Sequence, residues 1–252
     1  MKPLVQIIIN VKNGERTIAR ALSSCKRQSV PVDILVINNQ SRDGTANICK
    51  EFGVDVIDTK EPLTLAQARN FALQNVSDTT KYITFLDADD EYIDGEAIEK
   101  LTNQIGEQYG MVCSQAQVRD SKGTFQRLFT KRSKQEFYSK DLVTRYEICW
   151  STLCIDMRLA SNVRFDPRLD ICEDIDFVYR LSQQTTLKFI NEPLVAFYVH
   201  GESSLLNNLS KYRKELLYLA KKYKLSSNDT FFLLLPYVKV FLRRKILCHF
   251  SQ

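Results

Sequence analysis

Tyr82-Ile83-Thr84-Phe85-Leu86-Asp87-Ala88-Asp89-Asp90-Glu91 decides how this chain is read. A β-prone apolar run stops abruptly in carboxylates. In open α/β sheets, ligands bind at the carboxyl ends of the strands, where these aspartates would sit. An Asp-x-Asp pair suits Mg²⁺ or Mn²⁺, hard cations that take carboxylate oxygens and carry phosphates alongside. The stretch therefore points to a metal–diphosphate site. A polar loop after a strand, with aspartates turning the chain, is the competing reading.

The neighbouring segments extend the pattern. Leu4 to Ile9, Asp33 to Ile37, Val54 to Ile57 and Met111 to Val118 read as further buried strands. Between them, Glu15 to Gln28 places Ile18, Ala21, Leu22 and Cys25 on one helical face, and Leu65 to Asn75 does the same with Leu65, Ala68, Phe71 and Ala72. Strands alternating with helices predict an α/β fold with a mostly parallel central sheet flanked by helices. The second half is less regular. Lys122 to Ser139 reads as a loop or hairpin, with a lid over a ligand as one expectation and plain surface as the other. Asp141 to Met157 reads as mainly helical, and Leu187 to Ile190 and Leu194 to Val199 as two short strands.

Composition is that of an ordinary globular protein: 252 residues, 44% hydrophobic and 26% charged. The seven cysteines are scattered without a Cys-x-x-Cys pair, which fits reduced thiols in a cytoplasmic setting better than zinc or a disulfide framework. Met1 to Asn10 turns polar too soon for a signal peptide, and no run of about 20 apolar residues suggests a membrane span. Charge is uneven. Lys211 to Gln252 holds ten Lys and Arg against two Asp and Glu, a net of +8 within an overall +5. This basic, partly apolar segment, with Lys239, Arg243, Arg244 and Lys245 in its last part, predicts either a peripheral contact with an anionic membrane surface or a helix packed on the main domain. No basic–aromatic recognition motif accompanies the charge, so no nucleic acid is expected as a partner.

Several motifs together resemble glycosyltransferase family 2, whose nucleotide-sugar enzymes have the GT-A fold. The resemblance runs from Leu4 to Ser204, implying a GT-A domain over residues 1–205 and a C-terminal helical basic extension over 206–252. Ile7-Ile8-Ile9-Asn10-Val11-Lys12-Asn13-Gly14-Glu15 resembles the first strand and the loop that lies against the nucleotide base, so Val11 and Asn13 are expected in donor binding. Lys12 stands where the family usually has an aromatic residue. Asn38 and Asn39 stand where an acidic pair is common. Asn still accepts through its carbonyl and adds a donor, so base recognition by this pair and turn formation are both open. Leu65-Ala66-Gln67-Ala68-Arg69-Asn70 resembles the family's Ala-Arg-Asn helix start, with Arg69 toward the nucleotide or in a surface salt bridge, and Asn70 bracing a loop.

The resemblance assigns Asp87 to the ribose or metal region and Asp89 to the Mg²⁺ or Mn²⁺ ion. Trp150 is expected against a sugar ring or in the core. Cys172-Glu173-Asp174-Ile175-Asp176 resembles the family's Glu-Asp element, implying Asp174 as catalytic base with Glu173 as its runner-up or orienting neighbour. Acidic residues favouring a helix N-terminus are the competing explanation for Asp174. Asp176 and Arg180, one turn apart, form a structural pair. His200 is expected as a further metal ligand or phosphate contact, or as a structural histidine. The implied function is an inverting, metal-dependent transfer of sugar from a nucleotide-diphosphate donor to a hydroxyl of a glycan or lipid-linked acceptor in cell-surface polysaccharide synthesis. A nucleotide-sugar-binding protein without catalysis and a nucleotidyltransferase are the alternatives.

Overall fold

The computed structural model describes the backbone of residues 4–130, 135–144, 146–200 and 208–249, with side chains to residue 238. Strand β1 (Val5–Val11) is buried on both faces and lies between two parallel neighbours. These are β2 (Val32–Asn38) and β4 (Tyr82–Phe85), and β3 (Asp55–Asp58) extends the parallel set beyond β2. The intervening helices are α1 (Ile18–Lys26), α2 (Thr45–Glu51) and α3 (Leu65–Gln74). After the two-residue strand β5 (Glu91–Tyr92), helix α4 (Ala97–Thr102) leads to the long strand β6 (Met111–Asp120).

The irregular half builds the other side of the same sheet. Part of the segment read as a loop pairs into it as β7 (Phe125–Leu128) on β6 and β8 (Glu136–Phe137) on the strand β10 (Leu187–Val199). Residues 131–134 of that segment lie outside the described residues. The stretch expected as mainly helical holds α5 (Ser139–Thr144), a 3₁₀ turn at Trp150–Thr152 and a strand, β9 (Cys154–Asp156), before the short α6 (Met157–Ala160). Its apolar Leu153-Cys154-Ile155 run is too short to show a period, and pairing with β4 and β6 decides its state. The two strands expected at the end of the sheet are one, β10, with register shifts between Ile190 and Val195 where Pro193 interrupts the ladder.

The strand order is β3-β2-β1-β4-β9-β6-β10-β5. From β3 to β10 in that order only β9 runs against its neighbours, and β5 closes the edge antiparallel to β10. Strand β6 is antiparallel to β9, and β10 is parallel to β6, so both point the same way as β1 and β4. The loops after β1, β2, β4, β6 and β10 consequently open at one edge. Because β9 is reversed, the residues preceding it also arrive there.

The period of two divides the core between the two faces. Ile8, Leu35, Ile37, Ile83 and Phe85 pack with Trp150, Phe165 and Phe177 on one side. Ile7, Ile9 and Val36 pack with Ile18, Leu22, Ile98 and Leu101 on the other. Helix α3 approaches closely because its inner face is largely alanine: Ala66, Ala68 and Ala72 are buried with Arg69. Its start is set by a capping box, in which Thr64 Oγ1 accepts from the Gln67 amide at 3.3 Å and Gln67 Oε1 accepts from the Thr64 amide at 2.9 Å.

Helix α7 (Glu173–Leu181) follows α6, and two helices close the described chain: α8 (Leu209–Lys222) and α9 (Ser227–His249). Tyr212, Leu216 and Leu219 of α8 form a third core with Leu169, Cys172 and Ile175, and Leu233 of α9 joins it. The basic Arg213, Lys214 and Lys221 are exposed. The side chains of Lys239, Arg243, Arg244 and Lys245 lie outside the described residues, as do residues 201–207. No helix among the described residues is long and apolar enough to cross a membrane.

Candidate active site

Two cavities meet at the edge where the strands end. The larger, about 940 Å³, is lined by Val11, Lys12, Asn13, Asp89 and His200 among others. The smaller, about 500 Å³, is lined by Tyr146, Trp150, Glu173, Asp174, Lys211 and Tyr212 among others. Leu65 and Asp87 belong to both walls. Topology explains the gathering. Asp87 and Asp89 follow β4, His200 follows the parallel β10, and Trp150 precedes the reversed β9.

In the larger cavity, His200 Nε2 lies 3.3 Å from Asp89 Oδ2, and the two side chains are 44% and 42% exposed. Arg20 Nη2 donates to the Asp89 carbonyl at 2.6 Å while its guanidinium stacks on Tyr198, so the acidic loop is pinned from α1. Asn13 takes a positive φ of 56° and ties the first loop to the second: its amide donates to Ser41 Oγ and its Oδ1 accepts from the Arg42 amide. Asn38 and Asn39 are buried and engaged inside the protein. Asn38 donates to Asp58 Oδ1 at 2.6 Å, and Asn39 donates to the Leu63 carbonyl and accepts from the Leu63 amide. Neither lines the larger cavity.

Arg69 lines the larger cavity yet is only 3% exposed, so the surface salt bridge allowed for it is corrected to a buried hub. Its Nη1 donates to Glu173 Oε1 at 2.6 Å, and its Nη2 is 3.8 Å from Asp87 Oδ1. The guanidinium sits 4.2 Å from the Trp150 ring centroid. Trp150 is itself buried, 4.9 Å from Phe85, and its Nε1 has no hydrogen-bond partner among the described residues. Phe165 stacks on Phe177 at 4.0 Å in the same cluster, and Asn70 holds the Phe165 backbone through both its N–H and its carbonyl.

One buried cation serves several carboxylates, and the pKa values follow. Burial pushes Glu173 up to about 7, with Arg69 opposing and the neighbouring Asp174 adding to the rise. Burial likewise raises Asp87 to about 6, against the pull of Arg69 and with Asp89 and Asp174 adding to it. Asp174 is also raised by burial, while Arg69 and the facing Tyr146 hydroxyl favour its ionised form. That hydroxyl is buried without a well-formed hydrogen bond.

Asp90 is a structural member of the cluster. It is 1% exposed, and its carboxylate accepts from Ser151 Oγ at 2.6 Å and from the Tyr198 amide at 3.1 Å. Ser151 Oγ in turn accepts from the Asp87 amide at 3.1 Å, so one serine aligns two aspartates. Ser151→Ala is expected to cost about 1–3 kcal/mol in urea unfolding, because it strips partners from a buried carboxyl and a buried amide. A loss below a few tenths of a kcal/mol would remove that role.

Ser151, Tyr146 and Arg20 were not among the residues singled out in the sequence. Each is an ordinary side chain in its own segment and becomes relevant only where distant segments converge.

The family model described as Glycosyl transferase family 2 matches residues 6–159. The chain belongs to this family. A curated relative, the 4,4'-diaponeurosporenoate glycosyltransferase of Staphylococcus aureus (strain USA300), is 36% identical over 102 residues, covering 39% of this chain and 27% of its own length. The chain thus spans about a quarter of the curated relatives it matches. S. aureus TarS 1-349 in complex with UDP-GlcNAc superposes with a TM-score of 0.66 at 17% identity, covering 87% of this chain and 67% of that one. The mannosyltransferase PcManGT from Pyrobaculum calidifontis in complex with GDP-Man and Mn2+ gives 0.69 at 14% identity, covering 95% and 72%. These likenesses establish the GT-A glycosyltransferase fold.

Proposed function

We propose that this chain transfers a sugar from a nucleoside-diphosphate sugar to a hydroxyl acceptor, with inversion at the anomeric carbon. The observation that carries this reading is the shared wall at Asp87. One cavity holds Asp89 and His200, the adjoining one holds Asp174 and Glu173, and the reacting carbon would lie between them. Two protein groups 3.3 Å apart suit an ion that keeps other positions for diphosphate oxygens and water. Among the described residues no group of three His, Cys, Asp or Glu could hold an ion without such help. Asp89 and His200 would hold Mg²⁺ or Mn²⁺, which when bound supplies a Lewis acid for the charge on the departing diphosphate.

The chain's own residues do the rest. Asp174 accepts the proton of the acceptor hydroxyl as its oxygen bonds to the anomeric carbon. The bond from that carbon to the diphosphate breaks, and the nucleoside diphosphate leaves with the electron pair. Arg69 favours the ionised form of Asp174 against the effect of burial and holds Glu173 beside it. One base and one displacement give inversion. Aromatic and aliphatic residues of the smaller cavity, including Phe129, Ile148 and Ile171, suit a glycan or lipid-linked acceptor. The basic face of α8 fits work at an anionic membrane surface on the cytoplasmic side.

Melting curves with UDP, GDP and their sugars, with and without Mn²⁺, test the donor site. At 100 times Kd the midpoint is expected to rise by about 5–10 °C for one nucleotide class. Asp89→Asn should abolish the Mn²⁺-dependent part of that rise, and an unchanged rise removes Asp89 as a ligand. The internal bonds of Asn38 and Asn39 favour one second reading, a nucleotide-sugar binder without turnover. A donor-specific shift with no release of nucleoside diphosphate would select it. Pyrophosphate release from a nucleoside triphosphate would instead select a nucleotidyltransferase.

A further inference from the structure

Helix α8 carries a single acid among its basic residues, and that acid faces inward. Glu215 is 5% exposed and lies on the same stripe as Tyr212, Leu216 and Leu219. Burying a carboxylate there is costly unless it is fully hydrogen-bonded. Its partners are three consecutive backbone amides of the turn before α7. Glu215 Oε1 accepts from Asp170 N at 3.2 Å, and Oε2 accepts from Ile171 N at 2.9 Å and Cys172 N at 3.0 Å. Cys172 is the N-cap of α7 and offers no side-chain cap of its own. Helix N-termini leave amides without intrahelical partners and favour a negative charge. Glu215 supplies both from another helix, and the residues immediately after this turn are Glu173 and Asp174.

We propose that Glu215 is a positioning residue for sugar transfer: by clamping the amides of residues 170–172 it sets where α7 begins and where the Asp174 carboxylate points. The proposal rests on the reading of Asp174 as the base. Glu215 itself lines neither cavity; it reaches the smaller one through the backbone amides of Asp170 and Ile171, which do. A general base displaced by about 1 Å can lose on the order of 100-fold in rate, which makes a fixed helix start consequential. Glutamine at this position keeps the volume but loses the charge, and its NH₂ group cannot accept from an amide.

The test uses the full chain and the UDP- or GDP-sugar whose nucleoside diphosphate is released fastest in a panel with Mn²⁺. Glu215→Gln is compared with Leu219→Ala, which loosens the same helix through packing and leaves the carboxylate in place. Glu215→Gln is expected to lower kcat about 10–100-fold with donor KM within about threefold, and Leu219→Ala to spare kcat at a comparable fall in Tm. Equal kcat losses at equal Tm, or an unchanged kcat in Glu215→Gln, overturn the proposal. Where Glu215→Gln does not fold, Glu215→Asp, which withdraws the carboxylate by one methylene, is read in the same way. Amide hydrogen exchange at residues 170–176 gives a readout that needs no turnover. Faster exchange there in the Glu215 variant than in Leu219→Ala is expected, and equal exchange overturns the anchoring. Asp174→Asn separates the two failures. Turnover that survives in Asp174→Asn sinks the base assignment. Turnover lost in Asp174→Asn but kept in Glu215→Gln sinks only the positioning role.

Discussion

Arg69→Met unfolds with about 3–5 kcal/mol less stability than the parent chain at neutral pH, the range seen when one partner of a buried ion pair is removed. Methionine fills most of the space but leaves Glu173 without its 2.6 Å partner and Asp87 without its nearby cation. The guanidinium contact with Trp150 is lost as well. The deficit depends on pH, and its sign follows from proton binding. Glu173 already titrates at about 7 in the folded chain, above the ordinary glutamate value, and Arg69 opposes that rise. Removing Arg69 raises Glu173 and Asp174 further, so the folded variant binds protons that the unfolded chain releases. Stability then falls as pH rises through this window. Urea unfolding at pH 5, 7 and 8.5 should show the gap to the parent widening with pH. A small gap of constant size would mean that Arg69 does not serve the carboxylates.

With Asp174 as the proposed base, Asp174→Asn is expected to lower transfer by about 10²–10⁴-fold while leaving nucleotide affinity unchanged. The amide cannot take the acceptor's proton, and the residue lies in the smaller cavity, away from Asp89 and His200. In the parent chain, burial raises Asp174 above its ordinary value of about 3.9. As the proposed base, Asp174 acts when ionised, so turnover should fall as pH drops, on a limb displaced toward neutrality from that of a free aspartate. A pH–rate profile beside nucleotide titrations checks both statements. Loss of turnover in Glu173→Gln with retention in Asp174→Asn would transfer the role to Glu173, although Glu173 Oε1 is already committed to Arg69.

Much of the fold was legible because its signals are local. Leu4 to Ile9 reads as a strand buried on both faces from its nearly unbroken apolar run, and the structure divides Ile7, Ile8 and Ile9 between two cores accordingly. The apolar face of α3, with Ala68 and Ala72, is equally local. The acidic run after β4 is expected at the carboxyl-end edge of the sheet, and strand direction puts it there. The reversed strand β9 carried no such signal, since three buried residues between turns fit a helix as well as a strand. Leu187 to Ile190 and Leu194 to Val199, expected as two strands, are one β10, in which the sheet accommodates Pro193 as an irregularity.

The sequence by itself determined the alternating elements, the parallel set around β1 and the residue types that gather at the strand ends, carboxylates and one histidine. Those follow from period, propensity and residue type within short windows. Tertiary structure alone decided that Arg69 is a buried hub rather than an exposed ion pair, that Ser151 aligns Asp87 and Asp90, and that Glu215 clamps the start of α7 from 43 to 45 residues away. The physical reason is that the state of a charged group depends on the dielectric and the partners around it. Those are supplied here by segments far apart in the chain and are not written near the residue itself.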